Sequence, residues 1–210
     1  MTVLDELITQ RRSIRKYKPE IPPVEWIEAM IRAAIQAPSP SNNQPVRFIR
    51  IISPLLKDKL FQAMADGRKR MLQAILDTNS PKKLKNWVSY YFRFSAFMFH
   101  APVLFALGTV PPDPVLTGKL SGAGILRQDH PEQKDLDIAV GLSLMAYILK
   151  GEELGIGSCI LTAPLFFIED PNKALALEGI DIKCFITSGY PDEEPPPMKR
   201  KIMADICRTI

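Results

Sequence analysis

The chain has 210 residues, 46% of them hydrophobic and 24% charged, with a formal net charge of +4. That length suits one large domain or two small ones, and the balance is ordinary for a soluble globular protein with a full core. The basic excess is mild and no Lys/Arg block stands apart from acids and aromatics, so nothing calls for nucleic acid.

Residues 3–10 read as a short helix and Val24 to Gln36 as an amphipathic one, with Ile27, Met30, Ile31, Ala34 and Ile35 at helical spacing. The polar joint "APSPSNNQPVRF" follows, and Val46 to Ile52 reads as a strand. Pro54 opens a further helix, proline being tolerated in the first turn, and Gly67 is read as a break in it. Lys82 to Phe99 is helical and aromatic, and Pro102 to Val110 is a second core strand. Residues 111–131 show no clear period and many turn residues. Such a segment is either a cover over an active site or a surface insertion. Leu136 to Leu154 is the most apolar helix, apolar on nearly all sides and therefore expected at the centre of the core. "IGSCIL" is a third strand, a helix follows from Pro164, and "IKCFITSGY" is a fourth strand. Strands and helices interleave without a βαβ rhythm, which indicates an α+β fold with a mixed sheet.

Cys159, Cys184 and Cys207 lie far apart, without metal-ligand spacing or an even count, and the N-terminus lacks an apolar signal segment. A reducing cytoplasm is the expected setting, with Cys159 and Cys184 as core thiols. The stretch 94–112 is interrupted by His100, Pro102 and Gly108, and the stretch 138–149 is shorter than the ~20 residues of a membrane span. No membrane association is expected.

Familiar catalytic motifs are missing. "TGKL" has Asp113 where a phosphate-binding loop needs its first glycine, and Leu120 where it needs a hydroxyl. No dinucleotide fingerprint, HExxH or GxSxG occurs, and His100 and His130 are too few for a histidine-rich metal site. His100 reads as a core or corner residue. What remains is scattered. "RRSIRKY" (residues 11–17) places three arginines and a serine in a turn suited to a phosphate or a flat anionic edge. Ser39, Ser41, Asn42, Asn43 and Gln44 offer donors and acceptors for a heterocycle edge that alternates C=O and N–H. "GIGSCILT" leads a strand to Thr162, and "SGYPDEEPPPMKRK" brings a strand end near Lys199–Arg200.

These four motifs, in this order and at these separations, resemble the FMN-dependent nitroreductase family over nearly the whole chain. The resemblance implies one domain over residues 1–210, built as an α+β sandwich with a mixed, mainly antiparallel sheet flanked by helices. It implies an intertwined homodimer with FMN at the subunit interface. Arg11, Arg12, Ser13 and Arg15 would contact the FMN phosphate and the pyrimidine side of the ring. Pro38, Ser39, Pro40 and Asn42 would reach the FMN held mainly by the other subunit. Leu161 and Thr162 would approach the ring through the backbone, Lys199 or Arg200 would hold the phosphate, and Asp137 and Gly141 would be structural. NAD(P)H would dock transiently as reductant, with no catalytic side chain and no metal, because FMN carries the hydride chemistry.

The implied reaction is ping-pong reduction of a small electron-poor acceptor, a nitroaromatic or a quinone. The rivals are a flavin-fragmenting or dehalogenating relative and a non-catalytic FMN-binding or storage protein. The chain departs from the family pattern at Val46, at Pro40, at Lys199 and at Gly151–Glu152. Glycine late in a helix is expected to cost up to ~1 kcal/mol against alanine.

Overall fold

Two runs of apolar residues set the centre of the computed structural model, which describes residues 2–111, 116–125 and 132–210. They are β2 (Val103–Thr109) and β4 (Asp181–Gly189), the inner strands of a four-stranded sheet. β1 (Val46–Arg50) pairs with β2, and β3 (Gly157–Leu161) with β4, giving the order β1-β2-β4-β3 with every pair antiparallel. The parallel component is confined to an isolated bridge between Ser13 and Ser158.

Side chains alternate between the faces of a strand. On β2, Val103, Phe105 and Leu107 enter one apolar layer, Leu104 and Ala106 the other. The first layer is closed by α2 (Val24–Ile35) and α6 (Glu132–Glu153), through Ile27, Met30, Leu144 and Tyr147. The second is closed by α3 (Pro54–Asp77), α4 (Lys82–Ala96) and α7 (Pro171–Leu175), through Leu60, Met64 and Leu175, with Phe167 beside them. Burying a side chain such as Phe105 or Phe185 contributes ~1.5–3 kcal/mol, so a sheet covered on both faces holds the molecule together. α1 (Val3–Gln10) lies against α6 and begins with a capping box between Thr2 and Asp5.

A bulge re-aims β4. Leu107 faces Cys184 and Gly108 faces Ile182, leaving Lys183 as the extra residue. The alternation flips there: Cys184 and Ile186 face the α6 layer, whereas Ile182 faces the α3 layer. Lys183 pairs with Asp137 at 3.3 Å and Asp181 at 2.6 Å, tying the head of α6 to the sheet.

Several sequence expectations change. Gly67 does not break α3. A Cβ there would fall 1.8 Å from the Phe167 carbonyl oxygen, so the glycine permits backbone-to-backbone packing inside a continuous helix. Gly151 likewise meets Met30 Cε at 2.7 Å and Ile156 O at 2.9 Å, so alanine would clash there and not gain. The segment 111–131 contains α5 (Leu116–Gly122), and its remainder lies largely outside the described residues. Finally, α6 is not covered all round: Ile138, Leu142 and Met145 form an exposed apolar stripe at helical spacing.

The helix expected from Lys82 to Phe99 ends at Ala96 and tightens into a 3₁₀ turn, Phe97–His100, with His100 exposed at the corner. The helix expected from Pro164 is a 3₁₀ turn, Ala163–Phe166, followed by α7.

Candidate functional site

The basic turn is built by what α1 leaves unfinished. A helix ends with carbonyls that have no partner. Arg12 folds back on them, its Nη1 donating to the oxygens of Thr9 (2.8 Å), Gln10 (3.1 Å) and Arg11 (2.8 Å). The chain then runs along the outer edge of β3, where Ile14 N–H donates to Ser158 O at 3.1 Å. Glycine at 157 makes this approach possible, because a Cβ would lie 2.5 Å from Ile14 Cγ1.

Residues 190–193 clamp the turn from outside. Glu193 Oε1 accepts from the backbone N–H of Arg15 and of Lys16, Lys18 N–H donates to Tyr190 O at 2.9 Å, and Asp192 N–H donates to Lys16 O at 3.0 Å. Tyr17 fastens it from inside. Its hydroxyl donates to Ile14 O and lies 2.8 Å from Thr187 Oγ1. One hydroxyl has one proton, so Thr187 is the donor in the second bond. Burial raises the Tyr17 pKa and keeps that proton in place. Beneath it Ser158, Ser188 and Tyr147 form a buried hydroxyl chain with spacings of 2.9 and 3.1 Å. Burial pushes Tyr147 up to about 12.

Arg15 is held and left largely unspent. Its Nη1 donates to Ser13 O at 3.2 Å, and its guanidinium carbon sits 4.4 Å from the centre of the Phe94 ring on α4. Its Nε is buried without a partner, as is Arg12 Nε. No carboxylate pairs with the Arg15 guanidinium among the described residues. Glu152, on the last turn of α6, is half-buried near Arg11 and Arg12; burial raises its pKa and the two arginines hold it down in part.

The amide loop is built differently. Pro40–Asn42 makes one 3₁₀ turn, closed by Asn42 N–H donating to Ser39 O at 2.9 Å and by Gln44 N–H donating to Ser39 Oγ at 2.9 Å. Ser41, Asn42 and Gln44 have φ of 51°, 54° and 46°, the left-handed region that costs a residue with a Cβ roughly 1–2 kcal/mol. Pro38, Pro40 and Asn42 are exposed and Ser39 is half-buried. Below the loop lies a cleft of about 350 Å³, lined by Ile31, Ala34, Ser39, Gln44, Phe48 and Ser143 among others.

The remaining expected residues fall in two places. Leu161 ends β3 with its side chain buried, leaving its backbone for outside contact, and Thr162 is exposed at the start of the next 3₁₀ turn. Both share the β3 edge with the basic turn. Lys199 and Arg200 are exposed on the tail. Met198, Ile202, Met203 and Ile206 on the same tail, and Leu4 and Ile8 on α1, are exposed apolar side chains.

One chain therefore does not unite the expected site. The basic turn sits at the β3 edge and the amide loop feeds β1 at the opposite edge, three strand spacings or ~14 Å away. Along α6, Ser143 lies under the loop and Glu152 beside the arginines, a further ~14 Å of helix axis. The two clusters are on the order of 20 Å apart with the core between them. Sequence reasoning missed Phe94, Glu193 and the anchoring role of Tyr17. Tyr17 and Glu193 lay inside motifs already singled out, and Phe94 is brought near by the fold alone. The buried state of Cys159 and Cys184 agrees with expectation.

Residues 8–190 match the sequence profile of the Nitroreductase family. An iodotyrosine deiodinase of Thermotoga neapolitana is 27% identical over 95% of this chain and 95% of its own. A Bacillus subtilis protein provisionally named NAD(P)H nitroreductase YfhC is 28% identical over 97% of this chain and 92% of its own. Among solved structures, a BluB-like flavoprotein from Clostridium difficile 630 superposes with a TM-score of 0.83 at 24% identity, covering 100% of both chains. A nitroreductase with bound FMN from Desulfitobacterium hafniense DCB-2 gives 0.68 at 21% identity, over 100% of this chain and 99% of its own. These structures share the fold, and the match over residues 8–190 means that the chain belongs to the nitroreductase family.

Proposed function

We propose that this member of the nitroreductase family is a cytoplasmic, homodimeric FMN-dependent NAD(P)H oxidoreductase that reduces a small electron-poor acceptor, a nitroaromatic or a quinone. The observation that carries this reading is the split site. A cluster of guanidinium donors and a cluster of hydroxyls and amides stand on opposite edges of one chain, and a second copy is needed for both to meet one ligand. The exposed stripe Ile138, Leu142, Met145, the apolar side of α1 and the apolar tail are surfaces that such a pairing would bury.

The residues present fit FMN. Buried guanidinium nitrogens on Arg12 and Arg15 lack an acceptor, and a phosphate or a carbonyl edge would supply one. Arg15 and Ser13 would meet the polar ring edge and Arg11 the phosphate, while Arg12 serves mainly to close α1. Ser39 and Asn42, with Pro38 and Pro40 bracing them, would approach from the partner. Thr162 and the Leu161 backbone would flank the ring, and Lys199 or Arg200 would complete the phosphate cradle. When bound, FMN supplies the hydride chemistry, and the protein contributes position and positive charge.

Purified protein is expected to be yellow with about one FMN per chain, to bleach anaerobically with NADH or NADPH, and to recover colour on adding a nitroaromatic. A colourless preparation that cannot be reconstituted overturns the reading. A second reading, reductive removal of halide from a halogenated phenol, is favoured by the full-length similarity to a deiodinase. Halide release from the reduced protein, with nitroaromatics left unreduced, would select it. Failure to bleach with either nucleotide would point to an FMN-binding protein without this turnover.

A further inference from the structure

Arg15 presents a plane, and α4 places an aromatic ring under it. A guanidinium carries five N–H donors fixed in one plane, and its use depends on where that plane points. Among the described residues only one of those donors has a partner, on Ser13 O, and Nε is buried without one. The backbone is immobilised by Glu193, but a backbone clamp leaves the long side chain free to rotate. Against that side chain stands Phe94, whose ring centre lies 4.4 Å from the guanidinium carbon. Phe94 is itself backed by Tyr90, stacked on it at 5.5 Å and 17°. Tyr90 meets Tyr91 edge-on at 5.7 Å, and Tyr91 meets Phe166 of the turn after β3 edge-on at 6.4 Å. The aromatic row thus links the arginine to the chain segment that carries Thr162.

We propose that Phe94 is a positioning residue: its ring, braced by Tyr90, orients the Arg15 guanidinium so that its unspent edge meets the polar edge of the flavin. The role rests on the FMN reading above. An aromatic face attracts a cation and favours parallel stacking, so an aliphatic side chain of similar bulk fills the space without fixing the plane. Positive charge aimed at the ring edge favours the reduced form of FMN, which carries more negative charge. Losing the orientation weakens the reduced form more than the oxidised one.

The test is FMN titration of the flavin-free protein and measurement of the bound flavin's midpoint potential, in wild type, Phe94→Leu and Phe94→Tyr, each repeated in an Arg15→Gln background. Phe94→Leu is expected to weaken oxidised FMN about fivefold, the effect of one exposed cation–π contact. It should weaken the reduced form about fivefold more, a shift of ~20 mV to more negative potential. Phe94→Tyr should restore both values, and in the Arg15→Gln background the two Phe94 variants should not differ. Equal losses in Phe94→Leu and Phe94→Tyr, or the same loss without Arg15, would make Phe94 mere packing and overturn the proposal. So would an unchanged Phe94→Leu in a protein that binds FMN. Wild-type protein that takes up no FMN at all overturns the flavin reading as well, so the two failures are distinguishable.

Discussion

The basic turn and the amide loop solve the same problem by opposite means. Residues 13–18 are sewn down by a bridge to Ser158, two bonds to Glu193, one to Tyr190 and a buried tyrosine hydroxyl. Residues 39–44 are held by two prolines, one serine hydroxyl that accepts from Gln44 N–H, and a backbone forced three times into the left-handed region. The first is relaxed and preorganised, and the second is strained. Strain of this kind persists where surrounding structure or a ligand compensates it. The turn therefore belongs to the fold of one chain, whereas the loop awaits what it meets.

Breaking the turn should give the largest effects. Arg15→Ala removes a charge-assisted donor worth ~1.5–3 kcal/mol, so FMN affinity should fall roughly 10–150-fold in a fluorescence titration. An unchanged affinity would remove Arg15 from the site. Tyr17→Phe leaves the Ile14 carbonyl without its hydroxyl partner and leaves the Thr187 hydroxyl only the longer bond to Cys159 O at 3.4 Å, and should cost about 1–2 kcal/mol in denaturant unfolding. A neutral result would mean that Glu193 alone suffices.

The loop should respond with the opposite sign. Ser41→Gly relieves a left-handed serine, partly offset by the greater freedom of glycine in the unfolded chain, for a net gain of about 0.5–1 kcal/mol. Any loss of stability would show that the strain has been misjudged.

The smallest effect tests the edge of the turn. Burial raises the Glu152 pKa, so its contribution is favourable while the carboxyl is protonated and is lost as pH rises through the folded value. Glu152→Gln should raise the melting temperature by about a degree or two near pH 7. The difference should vanish as pH falls towards the ordinary carboxylate range. A gain that persists in acid would point to something other than ionisation.

Much of the fold was legible because it is written in local pattern. The helix at 3–10, the α2 periodicity and the four strands need only spacing and turn residues. The motifs at 11–17 and 37–48 were legible as concentrations of donors. What escaped depends on residues distant in sequence. Gly67 and Gly151 look like weak helix positions until Phe167 and Ile156 arrive against them. Phe94 looks like one more core aromatic until Arg15 lies on it. α6 looked buried all round because sequence records that a face is apolar and not what covers it.

That last point reaches beyond shape. The stripe Ile138, Leu142, Met145 lies on the helix whose other side, through Leu144 and Tyr147, carries half the core. If a second copy covers the stripe, as proposed, mass action couples folding to association. Thermal resistance then becomes a property of the solution as well as of the chain. Dilution should lower the melting temperature, and a charged residue placed at Leu142 should weaken the helix and its pairing together.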